Sequence, residues 1–153
     1  MVKGCKEFIS EQVRKQKGTF ENDWGNQIAE FGVYGKTVHT FVYTADTKKR
    51  YVHIYYSVAK AAGERARLEE SIQEMQSYLK RFQDTEHEFG SSFHKYFHLH
   101  YNKDTGHFVY GVPKLQVIRA ELDKCGYFVI ISSEKMDAKK AITLYKNRDA
   151  SYH

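Results

Sequence analysis

Residues 126–151 read GYFVIISSEKMDAKKAITLYKNRDAS, and this stretch decides the predicted fold class. Residues 127–131 are apolar without alternation, which predicts a strand covered on both faces, as is typical of α/β proteins. Asp137 is suited to cap the N-terminus of a helix, and apolar residues recur after it at helical spacing. The stretch therefore predicts a buried strand followed by a helix. The apolar positions of that helix are Ala141, Ile142, Leu144 and Tyr145.

Upstream of this stretch, residues 59–83 carry the clearest helical pattern in the chain. Apolar residues recur there at i, i+4, i+7, i+11 and i+14, which is one face of an α-helix. Glutamate and lysine residues occupy the opposite face. The pattern predicts a long amphipathic helix whose apolar face belongs to the core. The apolar residues are Leu68, Ile72, Met75, Leu79 and Phe82.

Two β-hairpins are predicted around this helix. Residues 27–58 carry β-branched and aromatic residues in two runs around the polar turn 45–50. Residues 93–101 and 107–112 flank a second turn, which contains Gly106. The middle of the chain is therefore predicted to be an antiparallel β unit with a long helix, and the fold class to be α+β with an α/β element.

Three short elements complete the predicted order. Residues 1–6 have the pattern of the end of a short strand, and residues 7–17 and 114–124 have the patterns of short helices. Gly126 ends the second of these helices. The apolar faces of the two helices consist of Phe8, Ile9 and Val13, and of Leu115, Ile118 and Leu122.

Composition sets limits on the class of protein. The chain has 153 residues with two cysteines, and its 24 lysine and arginine residues exceed its 19 acidic residues by five. The length fits one domain, and a hydrophobic content of 41% excludes a disordered tail. No apolar run reaches the roughly 20 residues of a membrane helix, so we expect no membrane partner. The two cysteines are 120 positions apart and do not make a disulfide framework, so we expect a reduced, cytoplasmic location. The modest positive charge permits a nucleic-acid partner without requiring one.

Several classes of enzyme and metal site are excluded because the chain lacks their sequence motifs. The chain lacks a P-loop, a dinucleotide-binding glycine fingerprint, G-x-S-x-G and H-E-x-x-H. His98 and His100 share one face of a predicted strand near His94, but no cysteine or carboxylate completes a zinc site. We expect these histidines to lie on a solvated strand face. Cys5 and Cys125 lack a neighbouring base and are expected to be ordinary buried residues.

Aromatic and basic residues alternate along the first predicted hairpin. Aromatic rings can stack on bases and flanking cations can bind phosphates, so this pattern permits a nucleic-acid surface. The alternative is that the tyrosines cover a half-buried sheet and that the basic tip is an ordinary solvated turn. The aromatic residues are Tyr51, His53 and Tyr55, and the basic residues are Lys36, Lys48, Lys49 and Arg50.

The C-terminal helix places Tyr145, Arg148 and position 152 on one stripe, since they are spaced i, i+3 and i+7. A phenol and a cation on one helix face beside a strand end can meet a phosphate. The alternative is that Tyr145 packs in the core and that Arg148 pairs with Asp149 or Glu134.

The same segment resembles the last part of the catalytic domain of DDE-type insertion-sequence transposases. The branch it resembles has an RNase H-like fold with a large β-rich insertion. In that family a GYF-V-I-x-S strand precedes a helix with a Tyr, Arg, Glu, Lys signature, and Tyr145 and Arg148 match its first two members. The sequence of residues 146–151 also resembles that of the family. Residues 50–55 and 59–64 resemble the insertion domain, so the likeness extends over most of the chain.

The resemblance implies a division of the chain into three parts. Residues 1–17 are expected to be a partial RNase H-like strand and helix, and residues 18–113 the β-rich insertion domain with its long helix. Residues 114–153 are expected to supply a partial RNase H-like helix and strand and a truncated C-terminal helix.

The sequence departs from the family at its catalytic carboxylates. The family's Glu is expected at position 152, where this chain has Tyr152, and the signature Lys lies beyond His153. Both catalytic Asp residues of the family lie upstream of its insertion domain. We therefore expect a truncated, frameshifted or decayed fragment with no catalytic residue and no cofactor of its own, although the intact family uses Mg²⁺.

The expected function is that of a transposase remnant, which keeps DNA affinity without catalysis. DNA contacts are expected at Tyr145, Arg148, Lys48, Lys49 and Arg50. One alternative is a non-catalytic module that binds DNA or a full-length transposase, or associates with itself, and so modulates transposition. Another is a stand-alone basic nucleic-acid-binding protein unrelated to transposition.

Overall fold

The computed structural model describes residues 5–16, 24–42 and 45–151. It is a mixed α+β structure whose strands form two antiparallel sheets. The chain divides into two compact units: unit 1 comprises residues 1–62 and 126–153, and unit 2 comprises residues 63–125. The elements in chain order are α1 (Cys5–Gln16), β1 (Gln27–Ile28), β2 (Val33–Thr40), β3 (Arg50–Tyr56), α2 (Val58–Arg81), α3 (Ser91–Tyr96), β4 (Phe97–Tyr101), β5 (Phe108–Pro113), α4 (Leu115–Lys124), β6 (Tyr127–Ser132) and α5 (Ala138–Ser151).

Unit 1 is built on a four-stranded antiparallel sheet in the order β1-β2-β3-β6. Side chains alternate between its two faces, so each strand contributes to two separate clusters. Val52 and Ile54 belong to the cluster on the face that Phe8 and Ile9 of α1 cover. Tyr55 belongs to the cluster on the opposite face, with Ala138 and Ile142 of α5. We call these the α1 face and the α5 face.

Strand β6 confirms one prediction and corrects another. Val129 and Ile131 pack against the cluster of the α1 face, and Phe128 and Ile130 against that of the α5 face, so both faces are covered as predicted. The strand is not part of a parallel α/β sheet, however, because it pairs antiparallel with β3. An apolar strand without alternation indicates that both of its faces are covered. It carries no information on whether the neighbouring strand runs parallel or antiparallel to it.

Unit 2 packs the long helix against a two-stranded sheet. The predicted apolar stripe is its core: Ile72 and Leu79 are buried, and Met75 packs against the same cluster. Phe97 and Phe108, from the two strands β4 and β5, complete this core. The turn between these strands is closed because the Asn102 side chain accepts hydrogen bonds from the backbone N–H groups of Asp104 and Thr105.

Residues 93–96 differ from the predicted strand, since they belong to helix α3. The i, i+3 spacing of a helix places Phe93 and Tyr96 on one side, and both pack against the core cluster of unit 2. The Tyr96 hydroxyl also donates a hydrogen bond to Glu121 on α4. Packing of two aromatic side chains on one face therefore outweighs their intrinsic preference for a strand.

The predicted domain boundaries differ from the compact units. The predicted insertion segment, residues 18–113, is divided between both units, because its first hairpin shares a sheet with β6. The predicted helices 7–17 and 114–124 appear as α1 and α4. Cys5 and Lys6 lie in α1 instead of a strand, while the rest of that predicted strand and Tyr152 and His153 lie outside the described residues. In the part of the chain that the structure describes, no helix is long and apolar enough to cross a bilayer.

Candidate nucleic-acid interface in unit 1

The positive charge of the chain belongs to unit 1. This unit holds 15 of the 24 lysine and arginine residues and nine of the 19 acidic residues, for a formal charge of +6. Unit 2 holds the other nine basic and ten acidic residues, for a formal charge of −1. The modest net charge of +5 is therefore the sum of a basic unit and a nearly neutral one. A polyanion is attracted to the first of them.

Helix α5 presents the two predicted signature residues on one surface. Asp137 caps this helix as predicted, since its Oδ1 accepts a hydrogen bond of 2.8 Å from the backbone N–H of Lys140. Ala141 and Ile142 are buried against the sheet. Tyr145 is 47% exposed and Arg148 is exposed. Helix α5 thus directs Ala141 and Ile142 to the sheet, whereas Leu144, which was also predicted as an apolar position, is 49% exposed beside Tyr145 and Arg148.

Tyr145 and Arg148 line the same open cavity, which has a volume of about 480 Å³. Among the described side chains, no ion pair joins Arg148 to Glu134, which was one of its alternative partners. The described lining residues carry no carboxylate, and their polar atoms come from neutral groups and one guanidinium. These residues are Ile130, Ser132, Met136, Ala141, Leu144, Tyr145, Asn147 and Arg148.

The predicted basic tip lies at the turn between β2 and β3. Lys48 and Lys49 are exposed, and Arg50 is the first residue of β3. The Lys49 ammonium lies 5.8 Å from the centre of the Phe41 ring, and Arg50 Nε lies 3.5 Å from Asp46 Oδ2. Lys48 and Lys49 are therefore the more accessible cations of the tip, whereas Arg50 also holds the turn together.

The sheet register relates this tip to the cavity beside α5. Arg50 pairs with Thr40, and the next residue of β3, Tyr51, pairs with Ser132 at the end of β6. Ser132 also lines the cavity that Tyr145 and Arg148 share. The basic tip and this side of the cavity therefore belong to the same end of the sheet, although they are about 80 residues apart in sequence.

A polar chain centred on the buried His53, which the sequence analysis missed, crosses the α5 face at this end. Thr37, His53 and Ser132 lie on three adjacent strands. His53 Nδ1 lies 2.8 Å from Thr37 Oγ1, and its Nε2 lies 2.9 Å from Ser132 Oγ. Because Ser132 Oγ donates its proton to the Glu134 carbonyl oxygen, Nε2 carries the imidazole proton and Nδ1 accepts from Thr37. Burial lowers the pKa of His53, and the Asp137 carboxylate opposes this shift.

The aromatic residues proposed to stack on bases are corrected by their burial. His53 and Tyr55 are both 0% exposed, so neither ring can meet a base. The Tyr55 hydroxyl donates a hydrogen bond of 2.6 Å to the Ala138 carbonyl oxygen, which anchors α5 to the sheet, and burial raises the pKa of this phenol. The alternative interpretation, in which these side chains cover the sheet, therefore holds for these two residues.

The histidines and the cysteine of unit 2 form no metal site. His98 and His100 are exposed on β4, as predicted, and the His100 ring stacks on Tyr110 at 4.4 Å between ring centres. Cys125 Sγ donates a weak hydrogen bond to the Glu121 carbonyl oxygen, and burial raises the pKa of its thiol. Within residues 5–16, 24–42 and 45–151, no three side chains of His, Cys, Asp or Glu lie close enough to hold a metal ion.

Sequence spacing was sufficient to find Tyr145 and Arg148, because both lie on one helix. It could not find the Thr37–His53–Ser132 chain, whose members are 16 and 79 residues apart and meet only through strand pairing. No protein family profile, no curated protein and no solved structure matches this chain.

Proposed function

We propose that this chain is part of a DDE-type insertion-sequence transposase and acts in DNA transposition by binding DNA, without catalysing strand cleavage itself. Two features support the proposal. The first is the resemblance carried by residues 126–151, with Tyr145 and Arg148 at the family's spacing. The second is the concentration of positive charge in the unit that contains them.

The observation that carries the DNA-binding part is the shared cavity of Tyr145 and Arg148 in unit 1. An arginine guanidinium donates two parallel hydrogen bonds to a phosphate, and a tyrosine hydroxyl donates one. Lys48 and Lys49, at the same end of the sheet, add cations without base recognition. The expected interaction is with the phosphate backbone, so it is insensitive to base sequence and weakens with salt.

The proposed lack of catalysis rests on the chemistry of the available oxygen atoms. Mg²⁺ binds carboxylate oxygens in enzymes that cleave phosphodiesters. Position 152, which corresponds to the family's Glu, is Tyr152, and a phenol with a pKa near 10 is neutral at pH 7. The lining of the cavity beside α5, as far as its residues are described, includes no carboxylate. Those residues do not fit a Mg²⁺ site.

The DNA-binding proposal is tested by fluorescence anisotropy with a labelled 20-base-pair duplex of arbitrary sequence. Binding is measured between 50 and 200 mM NaCl for the wild type and for the variant Lys48→Glu/Lys49→Glu. We expect the variant to bind more weakly and to lower the slope of log K against log salt by roughly two, since each lost phosphate contact removes about one unit.

The matched control is Lys80→Glu/Lys103→Glu, which makes the same charge change at exposed positions of unit 2. We expect it to bind nearly as the wild type does. Equal loss of affinity in both variants would show that net charge alone drives binding and would reject the interface in unit 1. Incubation of supercoiled plasmid with the protein and Mg²⁺ tests whether the chain cleaves DNA. Nicking above background would contradict the proposed lack of catalysis.

A further inference from the structure

Strand β6 lies at the edge of the four-stranded sheet in the part of the chain that the structure describes. β3 pairs with its inner side, and no strand in the described part of the chain pairs with the other. The Ser57 N–H donates to the Gly126 carbonyl oxygen at 2.9 Å, and this bond continues the register of the β3–β6 ladder. Because hydrogen-bonded and non-bonded pairs alternate in antiparallel strands, Val129 and Ile131 point their N–H and C=O groups away from β3.

This edge lacks the features that normally prevent further strand pairing. Natural edge strands carry charged residues, prolines or bulges that block the approach of another strand. β6 has the sequence YFVIIS, without a charge or a proline, and its pairing with β3 runs through all six residues without a bulge. Its backbone is therefore suited to accept one more extended strand, which is a common mode of peptide recognition.

An open cavity of about 630 Å³ runs beside this edge and defines which strand would fit. Ile9 lines it from the α1 face. Among the residues that the structure describes, its lining includes two lysines and no acidic residue. Lys146 lies on α5, and the Lys60 ammonium lies 4.7 Å from the centre of the Phe128 ring, which belongs to the α5 face.

We infer that unit 1 binds an extended, acidic segment of a partner protein, which adds to the sheet along the outer edge of β6. Alternate carboxylates of that segment meet Lys60 and Lys146 on the α5 face, and apolar side chains between them pack beside Ile9 on the α1 face. A second copy of the chain is a poorer match, because it would bring another unit of charge +6 against the same lysines. This partner goes beyond the DNA binding proposed above.

The probe is a fluorescein-labelled peptide of eight residues in which glutamate and valine alternate. Its control is the corresponding lysine–valine peptide, which has the same strand propensity at the apolar positions and the opposite charge. By anisotropy we expect the glutamate peptide to bind about tenfold or more tightly than the lysine peptide, since like charges disfavour a partner. Hydrogen exchange of the Val129 and Ile131 amides should slow on binding. Equal binding of the two peptides, or unchanged exchange, would overturn the inference.

Variants of the β6 backbone and variants of the neighbouring lysines test the strand pairing and the charge preference separately. Val129→Pro removes an outward N–H and leaves the ladder with β3 intact, as proline is tolerated on that side of edge strands. We expect it to abolish peptide binding, while Val129→Thr, which keeps the N–H and the branched shape, binds as the wild type does. Lys60→Glu/Lys146→Glu should reverse the preference between the peptides and needs no change in β6.

Circular dichroism of each variant verifies that the fold is retained. Peptide binding by a folded Val129→Pro variant, or an unchanged preference in the double variant, would contradict strand addition at this edge. Sedimentation of the protein alone provides a further test. A dimer that Val129→Pro dissociates would identify a second copy as the occupant and would reject the acidic partner.

Discussion

At the scale of single residues, Gly126 directly precedes β6 and lies against the backbone of Ser57. Its φ of +87° lies in the region that favours glycine, and a Cβ added to it would lie 2.6 Å from Ala61 Cβ and 2.7 Å from the Ser57 carbonyl oxygen. Gly126 was expected to end a helix. The structure adds a second requirement, because the backbone of residue 57 passes too close for any side chain.

Gly126→Ala is therefore expected to destabilise unit 1. The positive φ alone costs about 1–3 kcal/mol for a non-glycine residue, and the contact with Ser57 adds to it because backbone cannot move aside easily. Gly63→Ala is the matched control, since nothing lies within 4 Å of the added Cβ inside helix α2, and we expect a gain of about 0.5–1 kcal/mol. Urea unfolding measures both. A Gly126→Ala protein as stable as the wild type would contradict the close approach.

At the scale of elements, β2, β3 and β6 are joined by more than their backbone ladder. His53 is fully buried between Thr37 and Ser132 and bonds to both. A buried imidazole without a water-exposed nitrogen is stabilised in its neutral form, and burial accordingly lowers the pKa of His53. The three strands therefore share a polar connection whose strength depends on pH.

The sign of this dependence follows from the lowered pKa. The unfolded chain takes up a proton near pH 6.5, whereas the folded chain resists protonation until a lower pH. The stability contributed by neutral His53 is therefore fully present above about pH 6.5 and is lost as the pH falls towards the folded pKa. We expect the free energy of unfolding of the wild type to decrease from pH 7.5 to pH 5.5.

His53→Gln should lack this pH-dependent component of stability. Removal of the ring should itself cost about 1–3 kcal/mol at pH 7.5, because the Thr37 and Ser132 hydroxyl groups lose their hydrogen bonds to the imidazole. Urea titrations of both proteins at the two pH values give the comparison. The prediction is wrong if the variant loses as much stability on acidification as the wild type does.

At the scale of the whole molecule, the chain consists of two units with separate cores. The core of unit 2 includes Phe97 and Phe108 together with the apolar stripe of α2. The two clusters of unit 1 come from its own sheet and from helices α1 and α5. The charge is divided in the same way, since unit 1 carries a formal charge of +6 and unit 2 one of −1.

Phe108→Ala should therefore weaken one unit selectively. Phe108 is 0% exposed, and loss of such a ring costs about 3–5 kcal/mol. Hydrogen exchange should speed up across residues 63–125 and change little in β3 and β6. The control is Tyr110→Ala on the same strand, whose side chain is largely exposed and whose loss should have a small effect. Equal acceleration in both units would show that they unfold together.

The sequence alone determined several features that depend on neighbours along one helix or on one strand's own composition, although helix α3 was missed. The stripe of α2, the cap by Asp137, the shared helix stripe of Tyr145 and Arg148, and the coverage of both faces of β6 follow from local spacing and propensity. Helical periodicity and capping act within about four residues, so a single sequence contains the information they need.

Only the tertiary structure decided which strands meet and which polar groups are buried. The pairing of β6 with β3 joins residues about 75 positions apart, and it alone buries His53, aligns it with Ser132 and divides the predicted insertion segment between two units. It also leaves the outer edge of β6 open beside Lys60 and Lys146. Strand pairing is non-local, because the partner is chosen by the packing of both faces and not by the strand's own residues.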